Sequence, residues 1–74
     1  MYHYALDTSI WSNVINKFID SNNYYVLEEV PGWVRAVDPA VKDFRLVRDE
    51  HRQVYGVAYF SDTEDYTAFL LRWA

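Results

Sequence analysis

The sequence predicts a small two-layer α+β domain in the order β-α-β-β-α, with the helices on one face of a single sheet. Three observations predict it. An apolar stripe of helical period runs from Ile10 to Ile19, and a second, with an acidic start, from Tyr66 to Trp73. Between them lie two strand-like runs joined by a charged loop. At 74 residues the chain has room for one core. A domain of that size buries only about 60–65% of the surface its unfolded form exposes. Three Trp, seven Tyr and four Phe supply that core with large rings.

Tyr2–Leu6 reads as a first strand, stopped by Asp7-Thr8-Ser9. Asp7 or Thr8 is the expected cap of the helix that follows, because a side-chain oxygen there can accept from the helix's free N–H groups. That helix is expected to end near Asp20. Ile10, Val14, Phe18, Trp11, Ile15 and Ile19 cover half of it, wider than the roughly 100° stripe a surface helix needs. The whole face serves as core, or its Trp11/Ile15/Ile19 flank meets a partner.

Asp20-Ser21-Asn22-Asn23 reads as a turn. Residues 24–37 read as an irregular connection with one short element. Tyr24-Tyr25-Val26-Leu27 favours a strand, Leu27-Glu28-Glu29 equally suits a helix, and Pro31-Gly32 breaks whatever precedes it. Asp38-Pro39 marks a further boundary. Phe44–Val47 and Val54–Phe60 then form an expected antiparallel pair around Asp49-Glu50-His51-Arg52. The second of these is apolar on both faces, which predicts a central strand. Gly56 and Ala58 share one face, where small side chains let a helix approach.

Ser61-Asp62-Thr63-Glu64 has capping-box spacing, which puts the last helix's cap at Ser61. Asp62, Glu64 and Asp65 in its first turn and Arg72 in its last complement the helix dipole. The expected core is Ile10, Val14, Phe18, Val57, Phe60, Phe69, Leu70 and Trp73.

The chemistry-bearing residues do not assemble into a reaction centre on paper. His3 and His51 lie in different elements, and neither has a second ligand at metal-binding spacing. With no Cys there is neither disulfide nor thiolate site. Gly32 and Gly56 are the only glycines, too few for a phosphate loop. No serine sits in a nucleophile elbow. The pairs Glu28-Glu29, Asp49-Glu50 and Glu64-Asp65 read as solvated or capping charges. The expectation is a protein without catalysis, cofactor or metal. No apolar run of about 20 residues offers a membrane span, and Met1-Tyr2-His3-Tyr4 lacks signal-peptide features, so a soluble cytoplasmic chain is expected.

The formal net charge is −4. Residues 1–34 set Asp7, Asp20, Glu28 and Glu29 against Lys17 alone, whereas the middle of the chain balances its five bases with four acids. An acidic balance argues against a duplex-DNA binder, which carries a basic face.

The segment Gln53-Val54-Tyr55-Gly56-Val57-Ala58-Tyr59-Phe60, with Ser61-Asp62-Thr63-Glu64-Asp65 after it, resembles the third strand and second-helix start of RNA-recognition motifs. In that family strand aromatics stack on bases. Tyr55 matches one such position and Phe60 the pattern's last aromatic. Gln53, Val54 and Val57 depart from it, replacing a base, a glycine and the second stacking aromatic. The resemblance implies a ferredoxin-like order lacking a final strand, since the chain ends at Ala74. The first strand would then lie on an open edge. It also implies a single-stranded nucleic-acid site of Tyr55 with Arg45, Arg48 and Arg52.

The ending Glu64-Asp65-Tyr66-Thr67-Ala68-Phe69-Leu70-Leu71-Arg72-Trp73-Ala74 resembles the C-terminal helix of short tailed-bacteriophage proteins. That resemblance implies a phage-encoded interaction protein that inhibits or redirects a host protein, either a defence nuclease or the transcription machinery. Tyr and Trp are favoured interface anchors, and the expected partner-binding residues are Tyr2, Tyr4, Trp11, Ile15, Ile19 and Trp33. The open first strand is expected to pair with a second copy or with the target.

Overall fold

Asp7 turns the first strand into the first helix in the computed structural model, which describes residues Met1–Ala74. Strand β1 (Tyr2–Ala5) precedes helix α1 (Thr8–Asn22), whose cap is Asp7, accepting from Ile10 N–H at 2.9 Å. The helix runs past the expected Asp20 stop. Asn23 ends it in the left-handed conformation at φ 62°, and its N–H reaches Ile19 O at 2.8 Å. Asn tolerates that backbone better than most residues.

Residues 24–37 are more regular than expected. A single 3-10 turn (Leu27–Glu29) leads directly into helix α2 (Val30–Val37). Pro31 sits in the first turn, where a helix has no use for the missing N–H and where the fixed φ suits it. It starts a helix here and breaks nothing. Val30 and Val34, one turn apart, are both fully buried. The chain order is therefore strand, helix, helix, strand, strand, helix, one helix more than β-α-β-β-α.

Strands β2 (Asp43–Arg48) and β3 (Val54–Phe60) form the expected hairpin. Its loop is built by Asp49, whose Oδ1 accepts from the N–H groups of His51 and Gln53 at 2.8 and 2.9 Å. The sheet order is β1-β3-β2, antiparallel throughout, so β3 is central and β1 is an edge.

Helix α3 (Thr63–Trp73) is capped by Asp62, which accepts from Asp65 N–H at 2.9 Å. This corrects the Ser61 expectation by one residue. Both side chains can cap, and the one in extended conformation three residues before a free N–H does so.

All three helices pack on the sheet face formed by Gly56, Ala58 and Phe60. Trp11 of α1 lies over Phe44 at 6.1 Å between ring centroids, and Phe69 of α3 meets Phe60 edge-on at 5.4 Å. Val34 of α2 joins the same cluster as Phe44 and Ala58. Gly56 is required for this: a Cβ there would sit 2.5 Å from Phe44 Cζ and 3.0 Å from Trp11 Cζ3. Of the expected core, Ile10, Val14, Phe18, Phe60, Phe69 and Trp73 are buried in the main cluster, and Leu70 packs against it half-buried. Val57 is also buried but lies outside the cluster, because strand alternation turns it to the opposite face.

Candidate functional site: the open face of the sheet

Alternation along β3 sends Tyr55, Val57 and Tyr59 to the side that carries no helix. The cross-strand register sets His3 and Asp43 beside Tyr59, Ala5 and Arg45 beside Val57, and Val47 beside Tyr55. These eight side chains make one face of aromatic and apolar groups with one carboxylate and one guanidinium. Its centre, Val57, is only 8% exposed although nothing but its neighbours covers it.

Tyr59 organises one end. The His3 ring lies 5.3 Å from it, tilted by 32°, and the Arg45 guanidinium lies 5.0 Å from its centroid. Arg45 Nε donates to Asp43 Oδ2 at 2.9 Å, and Arg35 Nη1 of α2 reaches Asp43 Oδ1 at 3.2 Å. The Arg45 hydrogen bond is the main reason the Asp43 carboxyl is held below its usual range. The same bond pushes the Arg45 guanidinium up. The one cation of this face is thus ion-paired, with an Asp43 carboxylate that it shares with Arg35. Near Tyr55 a cleft of about 340 Å³ opens between the start of α1 and the hairpin loop, lined in part by Asp7, Trp11, Asp49 and Gln53.

The residues expected to hold nucleic acid do not converge. Tyr55 and Arg45 share the open face, but Arg45 is placed against Tyr59. Arg48 pairs with Val54 and so has the opposite parity. Arg52 is in the hairpin loop, with φ 62°. Phe60, the last aromatic of the matched pattern, is fully buried among the helices. Tyr59 and His3 belong to the face, and neither is among the site residues expected from sequence. Period-2 reading of β3 outward from Gly56 and Ala58 would have found Tyr59.

The residues expected to bind a partner are divided as well. Tyr4 stacks on Tyr66 at 3.6 Å with rings 4° from parallel. Trp33 sits edge-on between Phe18 at 5.3 Å and Trp73 at 5.6 Å. Trp11 and Ile15 pack against the core. These four are half-buried, and only Tyr2 and Ile19 of the set are exposed, at 51% and 38%.

A second polar constellation joins the helices. Asp38 is buried at 1% exposure; its Oδ2 accepts from Trp73 Nε1 at 3.1 Å, and its Oδ1 faces Arg72 Nη1 at 3.0 Å. Asn13 and Lys17 of α1 donate to the last carbonyls of α3, at Trp73 and Arg72, both at 3.0 Å. These carbonyls have no partner within the helix, so α1 supplies it. A groove of about 300 Å³ runs past them over Trp33 and Trp73. Its Lys17 and Arg72 are committed to these bonds, which makes it a joint between helices. No three His, Asp or Glu side chains come together at metal-binding distances, and no helix is long and apolar enough to cross a membrane.

Comparison with protein-family models, with curated proteins and with solved structures gives no match to this chain.

Proposed function

We propose that this chain is a binding domain without catalytic chemistry, and that the open face of its sheet docks a protein partner. The observation that carries this reading is the character of the face: Tyr55, Tyr59 and His3 surround Ala5, Val47 and Val57, and its one arginine is ion-paired with Asp43. Contiguous apolar and aromatic surface of this kind marks protein contact sites, and tyrosine combines large contact area with a hydroxyl for polar pairing. In fold terms the domain is read as ferredoxin-like from its first strand to its last helix, with α2 inserted before β2. The likeness of its last helix to those of short tailed-phage proteins supports a phage origin. On that origin the partner is a protein of the host cytoplasm, a defence nuclease or part of the transcription machinery, which the domain inhibits or redirects.

One observation favours a second reading, a single-stranded nucleic-acid binder. The uncovered sheet face with strand tyrosines is the surface that RNA-recognition motifs use for stacking. Against it stand the net charge of −4 and the compensation of Arg45. Phosphate binding needs free cations.

The test compares capture from host lysate by the wild-type protein and by a Tyr55→Ala/Tyr59→Ala variant that retains its fold. A specific protein held by the first and lost by the second supports the proposal. Equal capture by both removes the open face from it. Fluorescence anisotropy with labelled oligonucleotides at low and high salt tests the second reading, and a tight, salt-sensitive complex would replace the first.

A further inference from the structure

The two edges of this sheet differ in a way that bears on self-association. On the β2 edge, three of the six residues (Asp43, Arg45 and Arg48) are charged. Arg35 of α2 reaches Asp43 at 3.2 Å and lies against the start of this strand. Charges and a covering side chain are how proteins keep an edge strand from pairing with another chain.

The β1 edge has neither protection. Its sequence, Tyr-His-Tyr-Ala, holds no lysine, arginine, acid or proline. Leu6 N–H donates to Gly56 O at 2.9 Å, and the antiparallel alternation then turns Tyr4 toward Ala58. His3 and Ala5 are left with their N–H and C=O groups directed outward. Beside them Met1 and Tyr2 are 79% and 51% exposed.

We infer that β1 pairs antiparallel with β1 of a second copy of this chain, about a two-fold axis, through the backbone groups of His3 and Ala5. A second copy fits because His3 and Ala5 flank Tyr4 symmetrically: about a two-fold axis at Tyr4, His3 of one copy opposes Ala5 of the other and each outward N–H meets an outward C=O. At a net charge of −4 per chain, β1 offers an edge where two copies meet without opposing acids. Residues opposed in an antiparallel pair point to the same side, so the two open faces join into one six-stranded surface. At about 4.8 Å between strands, the width of that surface grows from about 14 Å to about 29 Å. Pairing by this route does not depend on what the open face binds.

Sedimentation over a wide range of protein concentration, together with amide hydrogen exchange at the highest, tests this. The expected result is a mass that rises toward twice that of the chain, with the amides of His3 and Ala5 protected. Those amides face away from β3, so their protection needs another strand. Ala5→Pro removes one outward donor, and His3→Lys puts a charge on the edge without touching the backbone. Both are expected to hold the protein at one chain with an unchanged circular dichroism spectrum. Should Ala5→Pro fail to fold, His3→Lys alone decides. A wild type that stays at one chain mass throughout overturns the inference, as does a dimer that survives His3→Lys or leaves the His3 and Ala5 amides unprotected.

Discussion

Asp38 and Trp73, 35 residues apart in the chain, meet in the interior, where the indole N–H donates to the carboxylate at 3.1 Å. Asp38 closes α2 through its backbone N–H to Val34 O, and its carboxylate receives Arg72 of α3 and accepts from Ala40 N–H at 3.2 Å. One side chain thus fixes where two helices end relative to each other. Asp38→Ala would leave a buried indole N–H without an acceptor, and Arg72 without its partner. The expected loss is about 3 kcal/mol, a large share of a small domain's stability. Asp38→Asn keeps an acceptor and is expected to lose less. Urea unfolding followed by tryptophan fluorescence measures both, and equal midpoints for all three proteins would show that the joint contributes nothing.

The start of α3 distinguishes two neighbouring residues. Asp62→Ala removes the bond to Asp65 N–H and is expected to cost about 1 kcal/mol, whereas Ser61→Ala should change stability by less than about 0.5 kcal/mol. Thermal melts of the two variants give the order. The reverse order would move the cap back to Ser61.

Gly56 has no room for a methyl group. The atoms in the way, Phe44 Cζ at 2.5 Å and Trp11 Cζ3 at 3.0 Å, belong to rings held by the core. Gly56→Ala is expected to destabilise by about 1–3 kcal/mol through overpacking, and Gly32→Ala, whose nearest neighbour would be Arg35 Nη2 at 3.8 Å, by much less. A Gly56→Ala protein as stable as the wild type would mean that Trp11 does not lie over the sheet at this point.

Phe69 is 1% exposed and Leu71, two residues on, 78%. Phe69→Ala should cost about 3–5 kcal/mol, while Leu71→Ala should stay within about 0.5 kcal/mol of the wild type. Comparable losses at both positions would contradict the buried face of α3.

The open face carries a pH signature. Asp43 is held below the ordinary carboxylate range, chiefly by the hydrogen bond from Arg45 and against partial desolvation, with Phe44 N–H and Arg35 also favouring the charged form. A carboxyl depressed on folding stabilises the native state above its unfolded pKa. That contribution disappears as the pH falls through the lowered folded value. Asp43→Asn is therefore expected to flatten the acid side of the melting-temperature profile. The shift is modest, since both partners meet solvent. An acid limb identical to that of the wild type would show that the Asp43–Arg45 pair is not formed in solution.

What the sequence determined by itself is whatever neighbours in the chain decide. The stripes of α1 and α3 follow from spacings of three and four residues, the hairpin from two apolar runs around a charged loop, and the central position of β3 from its apolarity on both faces. The cap at Asp7 was within reach for the same reason, because capping involves residues three apart. Helix α2 was missed because proline interrupts a helix interior and suits a first turn, and only the burial of Val30 and Val34 against distant elements shows which applies. The tertiary structure alone decided the rest. Trp11, Ile15 and Trp33 carry the same signal of exposed anchor or core, and packing against the core cluster settles it, with Trp11 on Phe44 and Trp33 on Phe18 and Trp73. Asp38 reads as a loop boundary until the end of α3 is brought to it. The open face exists because all three helices choose the side where Gly56 and Ala58 leave room for them. That choice leaves Tyr55, Val57 and Tyr59 uncovered.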